Sequence, residues 1–142
     1  SRRQRQMCIR DRDNGEVRRK IVEYQLHKNV ILGGFNDQMD IFWKFCDINL
    51  FLSLNDGFGL PIVEGYMHGV PCVTFEDLDA TQDLYYPEAM LKVKDRSIES
   101  VANALRTSLD KNWNHEEIAE IGNMFSIDSM SEKYVNWYRT LI

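Results

Sequence analysis

The chain has 142 residues, 44% of them apolar and 27% charged, with a formal net charge of −5. That length and balance fit one ordinary soluble globular domain rather than two, so one core is expected. No apolar run reaches the roughly 18 residues of a membrane-spanning helix, and the start lacks the order of a signal peptide, so a cytoplasmic setting is expected. Cys8, Cys46 and Cys72 are an odd count without ligand-like spacing, which argues against disulfides and zinc.

Charge is distributed unevenly. Residues 1–20 hold eight of the 17 basic residues and three of the 22 acids, which leaves 9 basic against 19 acidic residues, or −10, for the remainder. The opening "SRRQRQMCIRDR" has the charge of an arm for nucleic acid or anionic lipid. It has no amphipathic period and no initiating methionine, however, and it resembles translated sequencing-adapter stretches. Residues 1–12 are therefore set aside as a non-native or disordered tail, and 13–142 are taken as the folded domain.

"GEVRRKIVEYQL" places Val17, Ile21, Tyr24 and Leu26 on one stripe, which predicts a surface helix ending near His27. "NVILGGF" predicts a short strand closing in a glycine pair, and "NDQMDIFWKFCD" a helix capped by Asn36 or Asp37. "INLFLSL" is apolar on both faces, as a central parallel strand would be. A helix from about Pro61 to His68 follows, with proline at its first position and Gly69 just past its end, and then a strand "PCVTF".

"EDLDATQDLYYPEA" reads as a polar loop with one helical turn, and the four acids of its first eight residues, "EDLDATQD", lack the spacing of a calcium loop. "MLKV" is a short strand. "SIESVANALRTSLDKN" is a helix capped by Ser97, with Ile98, Val101, Ala102, Leu105 and Leu109 as its apolar stripe. Two further helices end the chain, the last carrying Met130, Tyr134, Trp137, Tyr138 and Leu141 as a stripe for packing on a core. The alternation implies an α/β fold, a Rossmann-like parallel sheet with helices on both faces.

Such sheets bind ligands in the loops at the carboxyl ends of their strands. Two loops qualify, "GGFND" and "SLNDGFG". Gly57 and Gly59 permit close approach to the backbone, and the N–H groups of Phe58, Gly59 and Leu60 open a helix whose dipole favours an anion such as phosphate. Glycines alone would equally suit a tight strand-to-helix turn. Asp56 and Glu64 flank the turn, however, and carboxylates accept from vicinal hydroxyls as in ribose or hexose recognition. Phosphate at the backbone and sugar at the acids describe a nucleotide sugar. His27, His68 and His115 are scattered without an evident carboxylate partner, so no catalytic histidine is expected.

The run from Asp56 to Glu64, "DGFGLPIVE", continued by "GYMHGVPCV", resembles the E-x7-E region of family 4 retaining glycosyltransferases, enzymes of the two-domain GT-B architecture. "NVILGGF", "FCDINLFLSL" and "SIESVANALRTSLDK" are similar to the family's neighbouring segments in the same order. The resemblance implies that Glu64 binds the ribose and Asp56 the hydroxyls of the donor sugar, the two residues at the catalytic centre. It places Gly57, Phe58, Gly59 and Leu60 around the distal phosphate, and Gly33, Gly34 and Phe35 near the base. It implies a nucleotide-diphosphate sugar as co-substrate, with no metal and no resident cofactor. Asp56 stands where the family has glutamate, Gly65 where it has alanine, and no counterpart of its diphosphate-neutralising Arg/Lys pair is found.

On this basis the chain is expected to be the C-terminal donor half of a hexosyltransferase of polysaccharide biosynthesis, incomplete at its N-terminus and inactive alone. The acceptor domain would be missing, and peripheral membrane association would run through that domain. The resemblance also implies that the last helix crosses back toward the missing domain. A catalytically silent nucleotide-sugar-binding or scaffold subunit is the alternative, and a GT-B epimerase a third.

Overall fold

The computed structural model describes residues 7–9, 15–34 and 39–141. The predicted caps Asn36 and Asp37 lie outside them. The elements are β1 (Met7–Ile9), α1 (Glu16–Glu23), β2 (Val30–Leu32), α2 (Met39–Trp43), β3 (Asn49–Phe51), α3 (Leu60–Met67), β4 (Cys72–Phe75), α4 (Asp79–Asp83), β5 (Met90–Val93), α5 (Ile98–Asp110), α6 (His115–Asn123) and α7 (Ile127–Arg139). The chain divides into two compact units between Met39 and Asp40.

In the first unit, β1 pairs parallel with β2, Met7 opposite Val30 and Ile9 opposite Leu32, with α1 as the crossover. Met7–Ile9 falls within the stretch set aside in the sequence analysis. The three-residue "MCI" between polar neighbours was too short to signal a strand. α1 ends at Glu23, four residues short of His27. Gln25 adopts a left-handed conformation (φ 55°), and the Leu26 and Gln25 N–H groups donate back to the Ile21 and Val22 carbonyls at 2.8 and 3.1 Å. This is a Schellman end built without glycine, so composition gave no stop signal.

The second unit is built on three parallel strands in the order β3-β4-β5. All four residues of β4 are buried, and their alternation divides the core. Cys72, with Met90 opposite, joins Ile62, Tyr66, Trp113, Ile118 and Ile121 of α3, α6 and the α5–α6 link. Val73 and Phe75, with Val93, face Ala104 of α5. Helices therefore cover both faces, as expected for this class. The strand buried on both sides is β4, however, and not the predicted "INLFLSL". β3 spans only Asn49–Phe51, and Leu54 beyond it is 81% exposed.

The segment from Glu76 to Ala89 is not a solvated loop. Leu78, Ala80, Thr81, Leu84 and Ala89 are buried, Thr81 Oγ1 donates to the Phe75 carbonyl at 2.8 Å, and the Tyr66 hydroxyl donates to the Leu84 carbonyl at 3.1 Å. Burial pushes the Tyr66 phenol and the Cys72 thiol well above their ordinary pKa values, so both remain neutral core groups. Glu76 and Asp77, offered as loop acids, pair with Lys92 (3.3 Å) and Arg96 (2.9 Å).

Ser97 caps α5 as predicted, its Oγ accepting from the Ser100 N–H at 3.2 Å. The buried ridge of α5 is Ala104 and Ser108, while the predicted stripe residue Ile98 is exposed. Asn114 and Ser126 cap α6 and α7 in the same way. The apolar stripe of α7 does not pack on the core: the helix buries no residue, and Tyr134, Trp137 and Tyr138 are 55–59% exposed. α6 lies against α3 so closely that a Cβ on Gly122 would stand 2.2 Å from the Met67 nitrogen.

Because that contact is backbone and cannot yield, Gly122→Ala is expected to cost about 2–3 kcal/mol by forcing α6 off α3. Urea denaturation with unchanged m measures it. A loss below about 0.5 kcal/mol would show that the seam relaxes freely.

Candidate functional site

The residues singled out in "SLNDGFGLPIVE" form one continuous strand-to-helix turn. β3 ends at Phe51, and α3 opens at Leu60 with Pro61 as its second residue, one place later than predicted. Gly59 precedes the helix in a left-handed conformation (φ 80°), and a Cβ there would stand 3.0 Å from both the Ala80 Cβ and the Ile62 Cδ1. Conformation and space together require glycine. Asn49 Nδ2 donates to the Pro61 carbonyl at 2.9 Å, tying the first residue of β3 to the first turn of α3. Sequence reasoning missed this tie, although a buried asparagine inside an apolar run was a visible signal.

Asp56 folds back onto its own turn. Its Oδ1 accepts from the Gly59 N–H at 2.6 Å and the Phe58 N–H at 3.0 Å. These are two of the three N–H groups assigned above to a phosphate. A phosphate at this turn therefore meets an internal carboxylate, and either uses the Leu60 N–H, which has no acceptor among the described residues, or displaces Asp56. Gly57 is exposed and open, with nothing within 4 Å of where a Cβ would stand.

Glu64 is the fifth residue of α3, not a member of its first turn. Its side chain is partly buried, and Oε2 is buried with no hydrogen-bond partner among the described residues. Gly65 lies beside it where two bulky groups converge. A Cβ there would be 3.2 Å from Asn49 Nδ2 and 3.5 Å from the Trp43 ring, which gives a steric reason for glycine at this point.

His68, expected to lack a carboxylate partner, has one. Its Nε2 lies 3.4 Å from Asp40 Oδ1, its Nδ1 is 2.9 Å from the Glu64 carbonyl, and its ring stacks on Trp43. His115 Nδ1 meets the Gly69 carbonyl at 2.8 Å. Both contacts join residues distant in sequence, so spacing did not reveal them. Of the predicted nucleotide-side residues, Gly33 and Gly34 follow β2 in the first unit, Gly34 at φ 61°, and Phe35 lies outside the described residues. No three His, Cys, Asp or Glu side chains among the described residues gather as a metal site.

A parallel sheet, a glycine turn self-capped by an acid and an under-partnered glutamate on the following helix are now in place. The profile of the family described as glycosyl transferases group 1 matches residues 7–111. The chain belongs to that family. The group 1 fold is seen again in solved structures. The apo form of the lipopolysaccharide outer core galactosyltransferase WaaB superposes with a TM-score of 0.77 at 15% identity, over 96% of this chain and 41% of that one. Sucrose-phosphate synthase from Thermosynechococcus elongatus gives 0.79 at 22% identity over 96% and 38%. A chain of the GtfA/B complex gives 0.76 at 14% identity over 95% and 29%. These likenesses establish the Rossmann-like α/β fold of GT-B transferases, and the present chain spans about two fifths or less of each of them. No curated protein matches the sequence.

Removing the self-cap should loosen the group 1 turn without unfolding the sheet. Asp56→Ala is expected to lower stability by about 1 kcal/mol and Asp56→Asn by less, because the amide oxygen still accepts. Chemical denaturation of the two variants checks the order, and equal losses would mean that charge, rather than the acceptor, holds the turn.

Proposed function

We propose that the chain is the donor-binding half of a family 4 retaining glycosyltransferase, which moves a sugar from a nucleotide-diphosphate sugar to an acceptor hydroxyl. The observation that carries this reading is Glu64 Oε2. A buried carboxylate oxygen without a donor costs about 1–3 kcal/mol or more, and a ribose diol supplies the missing hydroxyls. The glutamate sits on the helix that opens from the glycine turn, so a nucleotide with its ribose on Glu64 carries its phosphates toward the α3 N-terminus.

In this reading the chain's groups divide the work of binding and orientation. Leu60 N–H and the positive end of α3 face the distal phosphate and favour the charge that grows on the leaving diphosphate. Asp56 spends Oδ1 on the turn, which leaves Oδ2 for hydroxyls of the donor sugar. The reading assigns no metal and no resident cofactor, since the nucleotide sugar is a co-substrate. An N-terminal half supplies the acceptor site and any peripheral attachment to the cytoplasmic face of a membrane. No helix among the described residues is long and apolar enough to cross one.

A second reading is favoured by the engagement of Asp56 with its own turn: a nucleotide-sugar-binding or scaffold subunit without turnover. Incubating a chain that carries both halves with a labelled donor separates the two. Transfer to a hydroxyl with the anomeric configuration kept supports the first reading, and binding without product supports the second.

Calorimetry with UDP and GDP tests the site itself. Glu64→Ala is expected to weaken the better nucleotide by about 1–3 kcal/mol with folding intact, and wild-type affinity in that variant would remove the ribose assignment. Asp56→Asn is expected to change discrimination among donor sugars more than affinity for the bare nucleotide. Equal effects on both would sink that division of roles.

A further inference from the structure

The turn between Asp56 and Leu60 is held from two sides. Phe58 lies between two glycines, so local propensity leaves its backbone free to choose among several conformations. Asp56 restrains one side through the Phe58 and Gly59 N–H groups. On the other side, the Phe58 ring meets Phe125 edge-on, with centroids 6.4 Å apart and planes inclined by 67°.

Phe125 belongs to the corner between α6 and α7, far from the turn in sequence. Its N–H donates to the Gly122 carbonyl at 3.0 Å, and its side chain is half-buried against the core on the α3 and α6 side. Gly122 is the point at which α6 touches the α3 backbone. The corner carrying Phe125 is thus fixed relative to the same helix whose first turn Phe58 leads into. An aromatic ring on a corner that packs on the core is seated against the one aromatic side chain of the glycine turn.

We propose that Phe125 is a positioning residue of the donor site: through its edge-to-face contact with Phe58 it holds the "DGFG" turn in the form that aims Leu60 N–H and Asp56 at the ligand. The consequence for binding rests on the donor reading above, whereas the restraint on the turn does not. Phe125 touches no ligand in this scheme and acts only through Phe58.

Amide hydrogen exchange on the full 142-residue chain tests the restraint, with Phe125→Leu to keep apolar bulk and Phe125→Tyr to restore the ring. In Phe125→Leu the Phe58 and Gly59 amides are expected to exchange roughly three- to tenfold faster, with wild-type rates recovered in Phe125→Tyr. The Val70 and Cys72 amides, bonded to the Gly65 and Ala89 carbonyls, should not change. UDP and GDP affinities should fall by a similar factor in Phe125→Leu alone. Unchanged exchange at Phe58 and Gly59, a rise shared by Val70 and Cys72, or faster exchange with unaltered nucleotide affinity each overturns the proposal. A wild-type chain that binds neither nucleotide overturns the donor reading instead, and the exchange rates then still decide whether Phe125 restrains the turn.

Discussion

Burial of β4 on both faces is the constraint on which the second unit depends. Four residues, Cys72 to Phe75, have no solvent-facing side, so their alternation must be matched by apolar helix surfaces above and below. Cys72 and Met90 bring in α3 and α6, while Val73, Phe75 and Val93 bring in α5. Because α3 is seated by this packing, the turn that opens it is seated too. Gly59 is closed in by Ala80 and Ile62, and Pro61 is tied through its carbonyl to Asn49 at the start of β3.

The same packing sets the electrostatic character of the site. An acid at the N-terminus of a helix is favoured by the dipole, and Asp56 takes up that position by donating no proton and accepting two N–H bonds. A helix end that attracts phosphate is therefore already partly neutralised from within. Glu64 is the opposite case. Its position on α3 removes one carboxylate oxygen from water without a donor among the described residues. One acid is satisfied by its own backbone, whereas the other keeps one oxygen without a partner among the described residues.

α7 differs from the rest of the unit. Its cap at Ser126 is formed and its stripe is regular, yet Tyr134, Trp137 and Tyr138 face solvent. The three-and-four spacing of those aromatics was legible as a helix, but periodicity states only that one face is apolar, not what covers it. Ile98 on α5 teaches the same lesson on a smaller scale, since it fits the stripe by spacing and yet is exposed, while Ala104 on the same helix is buried.

By itself the sequence determined the local features: the order of strands and helices from β2 onward, the Ser97 cap, the β5 boundaries, and the glycine turn framed by Asp56 and Glu64. Each is set by interactions within a few residues, where propensity, capping and side-chain period act directly. Tertiary structure alone decided that β4 rather than β3 is the enclosed strand, that Leu78, Ala80 and Leu84 turn an acidic segment into core, and that Asp40 meets His68. It also decided that Phe125 reaches Phe58 and that one oxygen of Glu64 has no partner among the described residues. Those outcomes depend on which surfaces meet across distant parts of the chain, and one-dimensional spacing carries no term for that.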